Sequence, residues 1–93
     1  MINIQYHLAM DIRSLTLFQH LANTLHFGKT AAACHVSPST LSRAIQRLEE
    51  QLGSQLLIRD NRSVILTKEG KKLLSYAEQQ IEQYASLKQS LNE

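Results

Sequence analysis

A single cysteine, Cys34, is the only thiol in this chain of 93 residues. It excludes an intrachain disulfide and points to a reducing, cytoplasmic setting. No apolar run is long enough to cross a membrane. The first nine residues, MINIQYHLA, lack the charged start and apolar stretch of a signal peptide. The four histidines (His7, His20, His26, His35) follow no metal-ligand spacing, and with one cysteine they make no zinc site. A phosphate-cradling glycine loop is missing, as is any nucleophile–base pattern. Glu49 and Glu50 stand side by side, but adjacent helical residues point a quarter-turn or more apart. A solvated face or a subunit contact is the plainer reading of that pair. These absences argue against an enzyme, a cofactor or a metal.

Charge of one sign is scarce as well. The net charge is only +2, too little to argue for nucleic acid by itself. Its distribution says more. Between Ser37 and Lys72 lie seven basic residues (Arg43, Arg47, Arg59, Arg62, Lys68, Lys71, Lys72) against four acids. From Leu73 onward Glu78, Glu82 and Glu93 face Lys88 alone. The positive charge belongs to the middle of the chain, as a phosphate-facing surface requires.

What is present is a helical pattern. Asp11 can cap a first helix whose Leu15, Phe18, Leu21, Ala22 and Leu25 form one apolar stripe. His26-Phe27-Gly28 breaks it. A short alanine-rich helix from about Lys29 to His35 follows, small enough in side chain for close approach by the next. Ser37-Pro38 is a strong start signal, with Ser37 as cap and Pro38 in the first turn. That third helix runs to about Leu52, with Leu41, Ala44, Ile45, Leu48 and Leu52 facing inward, and Gly53 ends it. Residues 55–58 and 64–66 are short β-prone runs around the polar turn Arg59-Asp60-Asn61-Arg62-Ser63, a two-stranded wing. Thr67 caps a last helix to about Leu91. Gly70 near its start has no reason within the helix itself; close packing against the wing is one explanation.

The fold class expected is all-α with a small β-hairpin: a winged helix-turn-helix followed by a long helix. Residues 1–9 form an extension, 10–66 the winged unit and 67–93 the linker or dimerisation helix. On that last helix Leu74, Ala77, Ile81, Tyr84 and Leu91 recur at 3–4 spacing and outrun a core this small. The helix is therefore expected to pack on the domain near its start and on its own copy farther out. The plainer alternative is that the stripe only covers the core. Ending on a helix without a stop, the chain is expected to continue into a larger protein.

The third helix carries the candidate chemistry. Ser39, Ser42 and Arg43 share a face. Arginine can donate two bonds to the O6 and N7 edge of guanine, and serine or threonine can bond several bases. Ser37 is either a cap or a backbone contact, and Thr40 either a base or a phosphate contact. Lys29 and Thr30 are candidates for phosphate at the start of the second helix, and Arg47 for backbone or for surface pairing with Glu50 or Gln51. Arg59 and Arg62, placed at the wing tip, can reach a minor groove or simply form a solvated turn. His35 fills the turn between helices.

With these elements in place, Phe18, the Ala31-Ala32 pair, VSPSTLSRAIQRLEEQLG (36–53) and LLIRDNRSVILTKEG (56–70) resemble the LysR-type transcriptional regulators from about Met10 to Glu93. Within that family the run resembles the branch governing isoleucine–valine biosynthesis. The resemblance implies a bacterial regulator that binds interrupted inverted repeats of double-stranded operator DNA as a homodimer or tetramer. It implies groove contacts from Pro38, Ser39, Ser42 and Arg43. It also implies a small-molecule effector, an acetohydroxy acid for that branch, held by a C-terminal domain beyond this chain. Pro38-Ser39 departs from the Gln-Pro common in the family, so base readout at that step differs, and Cys34 replaces a larger apolar residue. The competing reading is a protein-interaction module on a helix-turn-helix scaffold; basic groups on both recognition helix and wing argue for DNA.

Overall fold

The computed structural model describes residues 10–93, so the expected extension at residues 1–9 lies outside it. Four helices and one hairpin follow each other in the order α1 (Ile12–Thr24), α2 (Phe27–Ala33), α3 (Pro38–Leu52), β1 (Leu57–Arg59), β2 (Val64–Leu66) and α4 (Lys68–Leu91).

Each helix begins on a side chain that accepts from its first turn, where backbone N–H groups have no helical partner. Asp11 Oδ1 accepts from Ser14 N at 2.8 Å, Ser37 Oγ from Thr40 N at 3.1 Å and Thr67 Oγ1 from Gly70 N at 2.9 Å. The fourth cap is His26, whose Nδ1 accepts from Lys29 N at 3.0 Å. This cap starts α2 at Phe27, two residues before the position the sequence suggests.

The ends are less legible than the starts. Gly53 closes α3 with φ 66°, as expected. The other two left-handed ends carry side chains. Leu25 terminates α1 at φ 55° with its N–H on Leu21 O. It therefore leaves the apolar stripe and is 39% exposed. At the end of α2, Val36 N donates to Ala31 O and His35 N to Ala32 O, the paired bonds of a Schellman turn. His35 occupies its left-handed position at φ 57°, where glycine is usual, so α2 stops at Ala33 rather than His35.

The core is a single cluster centred on α1, which packs against α2, α3 and α4. Phe18, Leu21, Leu41 and Leu48 are wholly buried in it. Leu17, outside the expected stripe, is buried too, whereas Leu52, expected to face inward, is exposed. Ala31 alone of the alanine run faces the core; Ala32 and Ala33 are exposed. Cys34 is half-buried against the cluster, as a small core residue.

The wing is held to α4 at its base. Strands β1 and β2 pair antiparallel, Leu57 with Leu66, Ile58 with Ile65 and Arg59 with Val64. Thr67 N donates to Leu56 O at 3.0 Å, and Thr67 Oγ1 donates to Gln55 O at 2.6 Å. Gly70 sits where the two elements meet. A Cβ there would collide with Leu56 O and come within 2.6 Å of Leu66 Cδ1. The close approach accounts for a glycine in a helical first turn, despite its cost of about 1 kcal/mol relative to alanine.

Along α4 the packing changes. Leu73 and Ala77 are buried in the core, and Leu74 and Ile81 are half-buried against it. The expected division between residues 66 and 67 thus passes through one packed core. From Glu82 on every residue is exposed, including Tyr84, Leu87 and Leu91.

Candidate nucleic-acid interface

The first turns of α3 present Pro38, Ser39, Thr40 and Arg43 to solvent, with Ser42 half-buried beside them. Arg47 is exposed one turn farther on. The helix can display them because Leu41, Ile45 and Leu48 anchor its opposite side in the core. Gln46 is exposed as well and continues the face of Ser39, Ser42 and Arg43. Sequence reading did not single it out, although its distance of three and four residues from Arg43 and Ser42 is the signal. Its amide can bond the N6 and N7 edge of adenine.

The hydroxyls at the helix start are linked. Ser37 Oγ donates to Thr40 Oγ1 at 2.8 Å and lies 3.1 Å from Ser39 Oγ. Having given its one proton to Thr40, Ser37 can only accept from Ser39. Ser37 is thus the cap of α3, and Thr40 keeps its own proton for an outside acceptor.

Two expected backbone contacts at α2 fare differently. Lys29 is exposed. Thr30 is wholly buried, and its hydroxyl is 2.6 Å from that of Thr24. No phosphate can reach it, because the turn between α1 and α2 folds over it. Thr24 Oγ1 also accepts from His26 N, so one threonine links both sides of that turn.

The wing separates its two arginines. Its tip is a four-residue turn from Asp60 to Ser63, closed by Asp60 N on Ser63 O. Asp60 Oδ1 accepts from Arg62 N at 2.7 Å and Ser63 N at 2.9 Å. These bonds to the charged carboxylate, Arg62 N first, hold its pKa below the ordinary aspartate value. Arg62 lies in that turn and is exposed. Arg59 does not sit at the tip. It is the last residue of β1, and its side chain folds back toward the helices. Its guanidinium lies 4.3 Å from the centroid of the Phe27 ring, and Nη2 donates to Ser42 Oγ at 3.1 Å. A cleft lined by Phe27, Ser42, Gln46, Glu49 and Arg59 runs between wing and recognition helix.

Glu49 has a structural task that the sequence pattern hid. Its Oε2 accepts from Leu56 N at 2.8 Å, joining the end of α3 to the wing. It is half-buried, whereas Glu50 is exposed, so the pair divides between a structural staple and a solvated face.

In α4, Ala77 is covered completely by its own chain, which leaves it no surface for a second copy. Leu74 and Ile81 are partly used in the same way, while Tyr84 and Leu91 stand clear. Among the described residues no three of His, Cys, Asp and Glu gather as a metal-binding group, and no helix is long and apolar enough to cross a membrane.

Residues 12–71 match the model of the bacterial regulatory helix-turn-helix proteins, lysR family. The HTH-type transcriptional activator IlvY of Salmonella typhimurium is 55% identical over 84 residues, which is 90% of this chain and 28% of that protein. Among solved structures, a CbnR DNA-binding domain in complex with DNA superposes with TM-score 0.85 at 30% identity, covering 89% of this chain and 95% of that one. Full-length OxyR of Pseudomonas aeruginosa gives TM-score 0.85 at 32% identity, over 89% of this chain and 28% of that one. The chain thus spans 28% of each of these two full-length regulators. The relatives named by this match are transcriptional regulators, and the matching model is one of regulatory helix-turn-helix proteins. A helix-turn-helix with its recognition face open, a wing beside it and a long trailing helix agrees with that match, and the chain belongs to the LysR family of bacterial regulatory proteins.

Proposed function

We propose that this chain is the operator-reading end of a transcriptional regulator that acts in the cytoplasm and binds an interrupted inverted repeat as a dimer. The observation that carries the reading is the exposed face of Ser39, Arg43 and Gln46, with Ser42 half-buried among them and Arg62 on an adjacent wing. A helix of this kind places its N-terminal side chains in a major groove. Arg62 suits the neighbouring minor groove, and Lys29 and Arg47 suit phosphates. The identity with IlvY supports a regulator of branched-chain amino acid biosynthesis. The effector would bind a further domain of the whole protein.

Tyr84, Leu87 and Leu91 supply the apolar seam for a second copy of α4. Their 3–4 spacing suits helix pairing. Leu87, which the stripe expected from sequence left aside, is the better probe of this seam than Ile81, because Ile81 also packs on the core.

Fluorescence anisotropy with a labelled inverted-repeat duplex from beside the encoding gene, and a scrambled duplex, tests the reading at several salt concentrations. Preference for the repeat, with affinity falling steeply as salt rises, is expected. A folded chain that binds neither duplex at low salt overturns it in favour of a protein-docking module. Arg43→Ala should cost about 1–3 kcal/mol at the cognate site if it grips a guanine. Equal weakening on all sequences would reassign it to phosphate.

A further inference from the structure

A serine on a recognition helix is chemically ambiguous. It carries one proton and two lone pairs, so it can donate to a base acceptor or accept from a base amino group. A guanidinium only donates. Arg59 Nη2 gives a hydrogen bond to Ser42 Oγ at 3.1 Å, which occupies one lone pair. The positive charge turns the hydroxyl proton away from Arg59. The usual inward outlet for a helical serine is the carbonyl four residues back. Thr16 uses that outlet, on Ile12 O at 2.8 Å; Ser42 makes no such bond among those of the described residues.

The arginine is held in place from a third element. Phe27 of α2 lies under the guanidinium at 4.3 Å, an arrangement in which the ring face attracts the cation. The backbone of Arg59 is fixed by its pairing with Val64. Wing, recognition helix and α2 therefore converge on one hydroxyl.

We infer that Arg59 is a positioning residue that biases Ser42 toward donating its hydroxyl proton, since only one lone pair stays open to accept, and so favours at its step a base with an acceptor on the major-groove edge. Purine N7, guanine O6 and thymine O4 meet that condition, whereas cytosine presents its N4 amino group. The inference rests on the DNA-reading function proposed above. It gives Arg59 a part in major-groove specificity without contact to a base, in place of insertion into the minor groove.

The test uses a pool of synthetic duplexes randomised at both half-sites, with the bound fraction sequenced. The wild-type chain is compared with Ser42→Ala, Arg59→Met and the double variant. Methionine keeps an unbranched stem over Phe27 and removes the donors. Both single variants should flatten the preference at the same base pair by about fivefold, the worth of one hydrogen bond. The double variant should match the singles, because both remove one coupled interaction. Phe27→Leu offers a second route, since loss of the ring releases the guanidinium and should weaken the same base pair. The inference is overturned if Arg59→Met and Phe27→Leu keep the Ser42-step preference, weaken all duplexes equally, or change only preference for A/T flanks. A wild-type chain without any preference overturns the DNA-reading function itself, which separates the two failures.

Discussion

The inner and outer halves of α4 are one helix with two different surroundings. Up to Ile81 the helix belongs to the domain core, with Leu73 and Ala77 buried against the other elements. Beyond it Tyr84, Leu87 and Leu91 are 45%, 54% and 73% exposed. The apolar spacing continues across the change, so periodicity alone does not mark where intramolecular packing stops. Burial does. The inner half stabilises the fold, and the outer half keeps its apolar side chains in solvent.

Substitutions can break or sharpen this contrast. Leu73→Ala should give the largest effect, a loss of about 2–5 kcal/mol for a buried leucine. Denaturant titration below any self-association reads it, and a loss under about 1 kcal/mol would mean the inner half is not core. Gly70→Ala comes next. Alanine is the better helix former by about 1 kcal/mol, yet the Cβ collides with Leu56 O. A net loss of about 1–3 kcal/mol is expected from overpacking. A stabilised variant would show that the wing simply moves aside. Leu87→Asp should change the stability of the single chain by less than about 0.5 kcal/mol, as for an exposed position, while abolishing self-association. Sedimentation at rising concentration checks this, and a dimer that survives puts the seam elsewhere.

The smallest effect is local to the wing. The folded pKa of Asp60 lies below its unfolded value of 3.8. The stabilisation is therefore complete above that value and fades as pH falls through the lower folded pKa. Amide signals of Arg62 and Ser63 should shift in that acid window while those of α1 stay fixed. Turn signals that shift only together with α1 would show that the turn melts with the domain.

Local chemistry is what the sequence displays well. Asp11, Ser37-Pro38, Gly53 and Thr67 mark helix ends because a cap bonds within a few residues of itself. The expected hairpin likewise needs only a polar turn between β-prone runs. Long-range pairings are hidden. Thr30 looks like a phosphate contact until Thr24 and the α1–α2 turn cover it. Glu49 looks solvated until it reaches Leu56, seven residues away and just before the next element. Arg59 looks like its neighbour Arg62 until Ser42, seventeen residues earlier, and Phe27 draw it inward. The left-handed Leu25 and His35 give no glycine signal, and hydrogen-bonded turns hold their conformation.

Gly70 joins the wing to the start of a helix about 36 Å long at 1.5 Å per residue. Gly70 against the wing, with Leu73 and Ala77 in the core, seats that helix, so in a dimer paired through its far end the seat would set the angle of a lever. A tilt of about 10° there would move the outer end by about 6 Å over that length. Half-sites on DNA repeat about every 34–36 Å along one face, so such a swing would put the second recognition helix out of phase with its groove. In such a dimer, the space that a missing methyl group leaves against the wing would bear on the distance between half-sites.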